Sequence, residues 1–206
     1  LGMKAVRIAE IETPNGFLLN GIWYGIHRPH TVYIWIHGLT GSAWSGKHII
    51  ESLAKTKVAG LAFNTRGYGH VNVVKCKQGN ETIYGTGGTA YETFTDCVDD
   101  IEGAVRFARS TGARNVFLIG HSTGCQKAVY WASKGGKGVK GIILLGPLSD
   151  YADTLVPKKK KHYAAGLALA RKMVKNKKGD ELMPKLYTDY LFLTAQRFLS
   201  LYTPDS

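Results

Sequence analysis

The chain has 206 residues, 44% of them hydrophobic, enough for one domain with a sizeable core and too apolar for a disordered chain. Its formal net charge is +12, but nine basic residues crowd into 158–178: Lys158, Lys159, Lys160, Lys161, Arg171, Lys172, Lys175, Lys177 and Lys178. A local run of this kind reads as a solvated face, so no nucleic-acid partner is expected.

In chain order, residues 3–24 read as a hairpin, with alternation through Val6-Arg7-Ile8-Ala9-Glu10-Ile11 and a turn at Pro14-Asn15-Gly16. Thr31-Val32-Tyr33-Ile34-Trp35-Ile36 is an almost unbroken apolar run of β-formers, the pattern of a strand buried on both faces of a parallel sheet. A helix is expected over 48–54 and a second buried strand over 58–63. Gly85-Thr86-Gly87-Gly88 has no buried strand before it and reads as a mobile loop. The clearest helix spans 93–110, where Phe94, Cys97, Val98, Ile101, Ala104, Val105 and Ala108 share one face. Asp96, Asp99 and Asp100 near its start suit the positive end of the helix dipole better than paired acid–base catalysis. Further strands are expected over 115–119 and 139–145, with a helix over 123–133 between them. Strands alternating with helices imply a parallel α/β sheet. Beyond Gly146-Pro147 only helical segments are expected, at 163–175 and 181–201, the second rich in aromatics (Tyr187, Tyr190, Phe192, Phe198, Tyr202). The chain therefore divides into a core over 1–150 and a helical cap over 151–206.

No apolar run approaches the roughly 18 residues that span a bilayer, and the first residues lack a secretory h-region, so stable membrane insertion is not expected. Cys76, Cys97 and Cys125 are odd in number and lack metal-ligand spacing, which favours a reducing, cytoplasmic setting and no metal.

Gly120-His121-Ser122-Thr123-Gly124 follows a buried strand and opens a helix, the context that separates a nucleophile elbow from a chance match. On so tight a turn the serine projects above the sheet, and the residues two before and two after must be small. Ser122 would otherwise be an N-cap serine. His121 points another way on a sharp turn and is expected to be packed. His37-Gly38-Leu39-Thr40-Gly41 ends the first central strand, where a backbone N–H could meet a tetrahedral oxyanion. The expected donors are the N–H groups of Leu39 and Thr123. Gly41-Ser42-Ala43-Trp44-Ser45-Gly46-Lys47-His48 matches a phosphate-binding loop except at its last position, where His48 replaces the Ser or Thr that would hold Mg²⁺; no nucleotide is expected there.

Together with Asn64-Thr65-Arg66-Gly67-Tyr68-Gly69 after the next strand, these motifs resemble the α/β-hydrolase superfamily. The third is similar to its D-x-R-G-x-G loop, with Asn64 in the Asp place. The likeness runs from Val6 to about Pro147 and is greatest to the esterase, lipase and serine-aminopeptidase-like branch with helical caps. It implies a mostly parallel sheet with an N-terminal antiparallel hairpin and a cap, and a catalytic acid and histidine after later strands that this sequence does not reach. The expectation is therefore a truncated fold, its last strand covered by a C-terminal piece or a second copy. Within the chain, Asp150 and His162 are the one alternative acid–base pair. The implied function is a serine hydrolase on carboxylic esters, thioesters or small amides through an acyl-enzyme on Ser122, without cofactor. The alternative is an inactive binding or scaffold relative.

Overall fold

A computed structural model describes residues 6–188 and 191–204. The expected hairpin's first residues, 3–5, and Tyr190 lie outside them. Among the described residues eight strands form one mixed sheet: β1 (Arg7–Glu12), β2 (Phe17–Gly25), β3 (Thr31–Ile36), β4 (Val58–Phe63), β5 (Asn72–Gln78), β6 (Glu81–Gly87), β7 (Asn115–His121) and β8 (Gly141–Leu145). Their order is β6-β5-β2-β4-β3-β7-β8, with β1 also on β2. The run β4-β3-β7-β8 is parallel, whereas β1, β2, β5 and β6 pair antiparallel.

Alternation along the central strands sends side chains to two apolar layers. Ile34, Ile36, Leu61, Phe63 and Leu118 join Ile101, Val105 and Trp131 beneath helices α2 (Cys97–Ser110) and α3 (Thr123–Ser133). Trp35, Ala62 and Ile119 join Ile22, Tyr24 and Ile50 under α1 (Lys47–Leu53) on the opposite face. Gly46 is needed there, because a Cβ on it would lie 2.2 Å from the Trp35 ring. The near-continuous apolar strands are thus explained by burial on both faces.

Three expectations change. Residues 85–88 are not a free loop: β5 and β6 form a hairpin closed by Gly79 and Asn80, and Gly79 takes the positive φ (59°) that the first position of such a two-residue turn favours. The signal was present in Gly79-Asn80 between two runs with β-branched residues. The helix expected over 181–201 is broken into α6 (Lys185–Thr188) and α7 (Ala195–Tyr202), with Leu182 bridging Thr194 antiparallel. Pro184 has no N–H to continue a helix from upstream, and Thr194 restarts one by accepting the Arg197 N–H on its hydroxyl. The preceding helices are α4 (Asp150–Asp153) and α5 (Pro157–Lys175), the latter starting earlier than expected because Pro157 suits a first helical turn. The four lysines 158–161 therefore lie on its exposed first turns.

Residues after β8 build a separate apolar cluster from Ala170, Met183, Leu191, Leu193, Phe198 and Leu201. Among the described strands β8 pairs with β7 alone, and Ile143 and Leu144 are each 41% exposed on it. No helix of the described residues is long and apolar enough to cross a membrane.

Candidate active site

Ser122 stands between β7 and α3 at φ 54° and ψ −125°, a conformation L residues rarely adopt. The crossing is tight enough that its glycines are obligatory. A Cβ on Gly124 would meet the Ile36 carbonyl oxygen at 2.2 Å, and one on Gly120 would meet that of Gly124 at 2.6 Å. The Ser122 N–H donates to Leu145 O on the neighbouring strand at 3.0 Å.

The loop after β3 closes on this turn. A Cβ on Gly38 would lie 2.9 Å from Ser122 Cβ and 3.4 Å from its Oγ. His37, wholly buried, holds the loop from beneath: its Nδ1 faces Gly38 O at 2.9 Å, and its Nε2 accepts the Thr65 N–H at 3.2 Å. One nitrogen must donate and the other accept, which assigns the neutral Nδ1–H tautomer. Burial first, and then the nearby Lys127 ammonium, lower its pKa to about 4. Thr40 has a positive φ of 55° and donates its N–H to Thr89 Oγ1 at 2.9 Å. The Leu39 N–H takes no hydrogen bond among the described residues. Thr123, first in α3, has no intrahelical acceptor for its N–H. Leu39, Thr40, Ser122, Thr123, Leu148 and Asp150 line a cleft of about 300 Å³.

Asp150 is thereby brought beside Ser122, which spacing alone could only hint at. Its Oδ2 accepts from Thr123 Oγ1 at 3.2 Å and from Gln126 Nε2 at 2.5 Å, and burial raises its pKa. The structure gives it no hydrogen bond to His162. That ring packs on Tyr163 and Tyr187, with centroids at 6.0 and 5.4 Å. Asp150 and His162 do line one larger cavity of about 560 Å³, with Leu39, Tyr163, Tyr187 and Tyr202, which adjoins the Ser122 cleft through Leu39 and Asp150. His121 is exposed and stacks on Trp35.

The other motif residues are structural. Asn64 Oδ1 accepts the Ala43 N–H at 2.7 Å. Arg66 donates its backbone N–H and its Nε to the buried Asp100, at 2.9 and 2.7 Å, with Asp96 and Asp99 nearby. Burial raises the Asp100 carboxyl to about 6 in spite of that guanidinium. The acidic residues of α2 thus bind an arginine as well as facing the dipole.

Sequence reasoning missed a buried charge network. Glu92 pairs with Lys127 and, at 3.0 Å, with Arg197, all three almost wholly buried. Burial alone would raise the Glu92 carboxyl, but the two cations outweigh it and hold it low. One signal existed: Lys127 sits on the face of α3 that also carries Gly124, Ala128 and Trp131. No group of three or more His, Cys, Asp or Glu among the described residues could hold a metal ion.

Residues 58–206 match the family described as "Protein of unknown function (DUF1749)". The chain belongs to that family. No curated protein matches it. Among solved structures it is similar to a thermostable carboxyl esterase from Bacillus coagulans, with 16% identity and a TM-score of 0.60, covering 92% of this chain and 56% of that one. It is also similar to the Pyrococcus furiosus esterase Pf2001, with 23% identity and a TM-score of 0.56, over 90% and 62%. A Vigna radiata epoxide hydrolase mutant gives 18% and 0.56, over 84% and 52%. The fold is the α/β-hydrolase fold. The chain spans less than two thirds of the length of each of these proteins.

Proposed function

We propose that this protein is a serine hydrolase acting on carboxylic esters, or on thioesters and small amides, through an acyl-enzyme on Ser122. The observation that carries this is the strained serine at φ 54° with Gly38 packed against it, beside two unspent backbone donors. The Ser122 hydroxyl attacks the substrate carbonyl, and the Leu39 and Thr123 N–H groups stabilise the oxyanion. Such donors are worth about 10²–10³ in rate each. Gly120 and Gly124 permit the turn, while His37 and Gly38 shape the oxyanion loop. His37 itself is no base: its ring nitrogens face Gly38 and Thr65. The residues after 150 act as a cap, and the tyrosine-lined cavity between α4, α5 and α7 receives the acyl or alcohol group.

The general base and its acid come, in this proposal, from sequence beyond residue 206. Two features support it. Asp150 is engaged by Thr123 and Gln126 rather than by a histidine. An apolar groove of about 390 Å³, lined by Phe94, Val129, Tyr130, Leu144 and Leu148, runs beside the β8 edge, where a further segment or a second copy would pack.

Reaction of the full-length protein with a fluorophosphonate probe tests the assignment. Labelling is expected, and Ser122→Ala should abolish it with the thermal unfolding midpoint preserved. A folded, full-length protein that is not labelled would be an inactive binding or scaffold relative instead.

A further inference from the structure

The oxyanion loop has an unusual support. Thr40 holds a left-handed φ that β-branched residues rarely adopt, so something must hold it there. Its N–H is anchored on Thr89 Oγ1, and the Thr89 hydroxyl proton goes to Gly67 O at 3.0 Å. Thr89 is wholly buried, and its own N–H donates to Gly69 O at 3.1 Å. One side chain therefore ties the loop after β3 to the loop after β4. The Leu39 N–H shares a peptide plane with Gly38 O, which His37 Nδ1 and the Gly41 N–H hold. Anchoring the Thr40 N–H fixes the plane on the other side, so the two together restrain the φ and ψ of Leu39 between them.

Thr89 is in turn held from α7. Arg197 Nε donates to Thr89 O at 3.1 Å, and its Nη2 pairs with Glu92 at 3.0 Å. Glu92 also binds Lys127, whose ammonium reaches Thr65 Oγ1 at 3.4 Å. Thr65 is the residue whose N–H binds His37 Nε2, under Gly38. Two routes thus run from one arginine to the two sides of the same loop: Arg197 to Thr89 to Thr40, and Arg197 through Glu92, Lys127 and Thr65 to His37. The backbone of Thr194 adds a direct tie to Ala90 O at 3.0 Å.

We propose that Thr89 is a positioning residue for the oxyanion loop, held in place by Arg197, so that the seating of α7 on the core sets the aim of the Leu39 donor. This rests on Ser122 being the nucleophile of a serine hydrolase. Thr89 touches no reacting atom. It acts through Thr40.

The test is the fluorophosphonate labelling rate of the full-length protein, with kcat and KM for a short p-nitrophenyl ester and amide hydrogen exchange over residues 38–41. Thr89→Val removes the hydroxyl at nearly constant volume. It should slow labelling and lower kcat by about ten- to a hundred-fold, with KM little changed and Thr40 exchange accelerated. Thr89→Ser should restore most of the rate, which a loss of packing alone would not predict. Arg197→Lys should slow labelling in the same direction, because a lysine cannot serve Thr89 O and Glu92 together in the guanidinium geometry. If Thr89→Val does not fold, Thr89→Ala is compared with Thr89→Ser in the same way. Wild-type labelling by a folded hydroxyl-deleted variant, or by Arg197→Lys, overturns the proposal while leaving the Ser122 assignment standing. Absence of labelling in the wild type overturns both.

Discussion

His37 illustrates how a residue beneath the proposed oxyanion loop can be structural and still set pH behaviour. It is neutral in the fold, with one nitrogen donating and the other accepting, and its pKa there is about 4 against an ordinary 6.5. A lowered histidine pKa means that the unfolded chain binds the proton first on acidification. The stability His37 contributes is therefore complete above pH 6.5 and lost as the pH falls from there towards 4, by up to about 3 kcal/mol. Asp100 works in the opposite sense, because its raised carboxyl takes up a proton in the fold before the unfolded chain does. The wild-type-minus-His37→Gln difference separates the two. Urea unfolding at pH 7 and pH 4.5 should show wild type losing more stability than the variant; equal losses would mean that His37 is charged or exposed. At this scale the sequence was informative where geometry depends on neighbours in the chain. Ser122 between two glycines, and Leu39 after His37-Gly38, were legible because a tight turn has local steric requirements.

Among elements, α2 and the loop after β4 are joined by charge in the interior. Arg66 and Asp100 are both buried, and Asp100 accepts from the arginine's backbone as well as its side chain. Removing one partner of such a pair costs more than the pair contributes, because the survivor stays buried and charged. Asp100→Ala, which takes both acceptor oxygens away from the Arg66 backbone N–H and Nε, should therefore destabilise by about 3 kcal/mol in chemical denaturation, with Asp96 and Asp99 limiting the loss. A change below about 0.5 kcal/mol would show the guanidinium to be solvated. The strong elements were legible: β3, β4 and α3 have the expected bounds because apolar runs and a helical stripe report burial directly. The 181–201 segment failed because its apolar residues fit a helical count, while Pro184 and the Thr194 cap break the helix. The β5–β6 hairpin was missed because its exposed strands lack an apolar run, although Gly79-Asn80 marked its turn.

For the whole molecule the consequential feature is the β8 edge. Ile143 and Leu144 are exposed there, and strand edges of this kind recruit further strands. A chain of residues 1–206 should accordingly self-associate at micromolar concentration. Ile143→Lys should lower its weight-average mass in sedimentation equilibrium. A monomer unaffected by the substitution would count against the edge as a packing surface.

The order of strands and helices, the elbow serine and the two backbone donors proposed with it follow from patterns a few residues long, because periodicity and turn sterics act locally. The support of that site does not. Thr65, Thr89, Glu92, Lys127 and Arg197 come from distant points of the chain, and each alone reads as an ordinary polar residue. Only the packing of α7 and α3 against the loops brings them into contact, where burial turns charges that would couple weakly at the surface into one strongly coupled network. The same packing places Asp150 beside Ser122 and leaves His162 among tyrosines, since spacing in sequence does not determine the direction in which a cap helix presents its side chains.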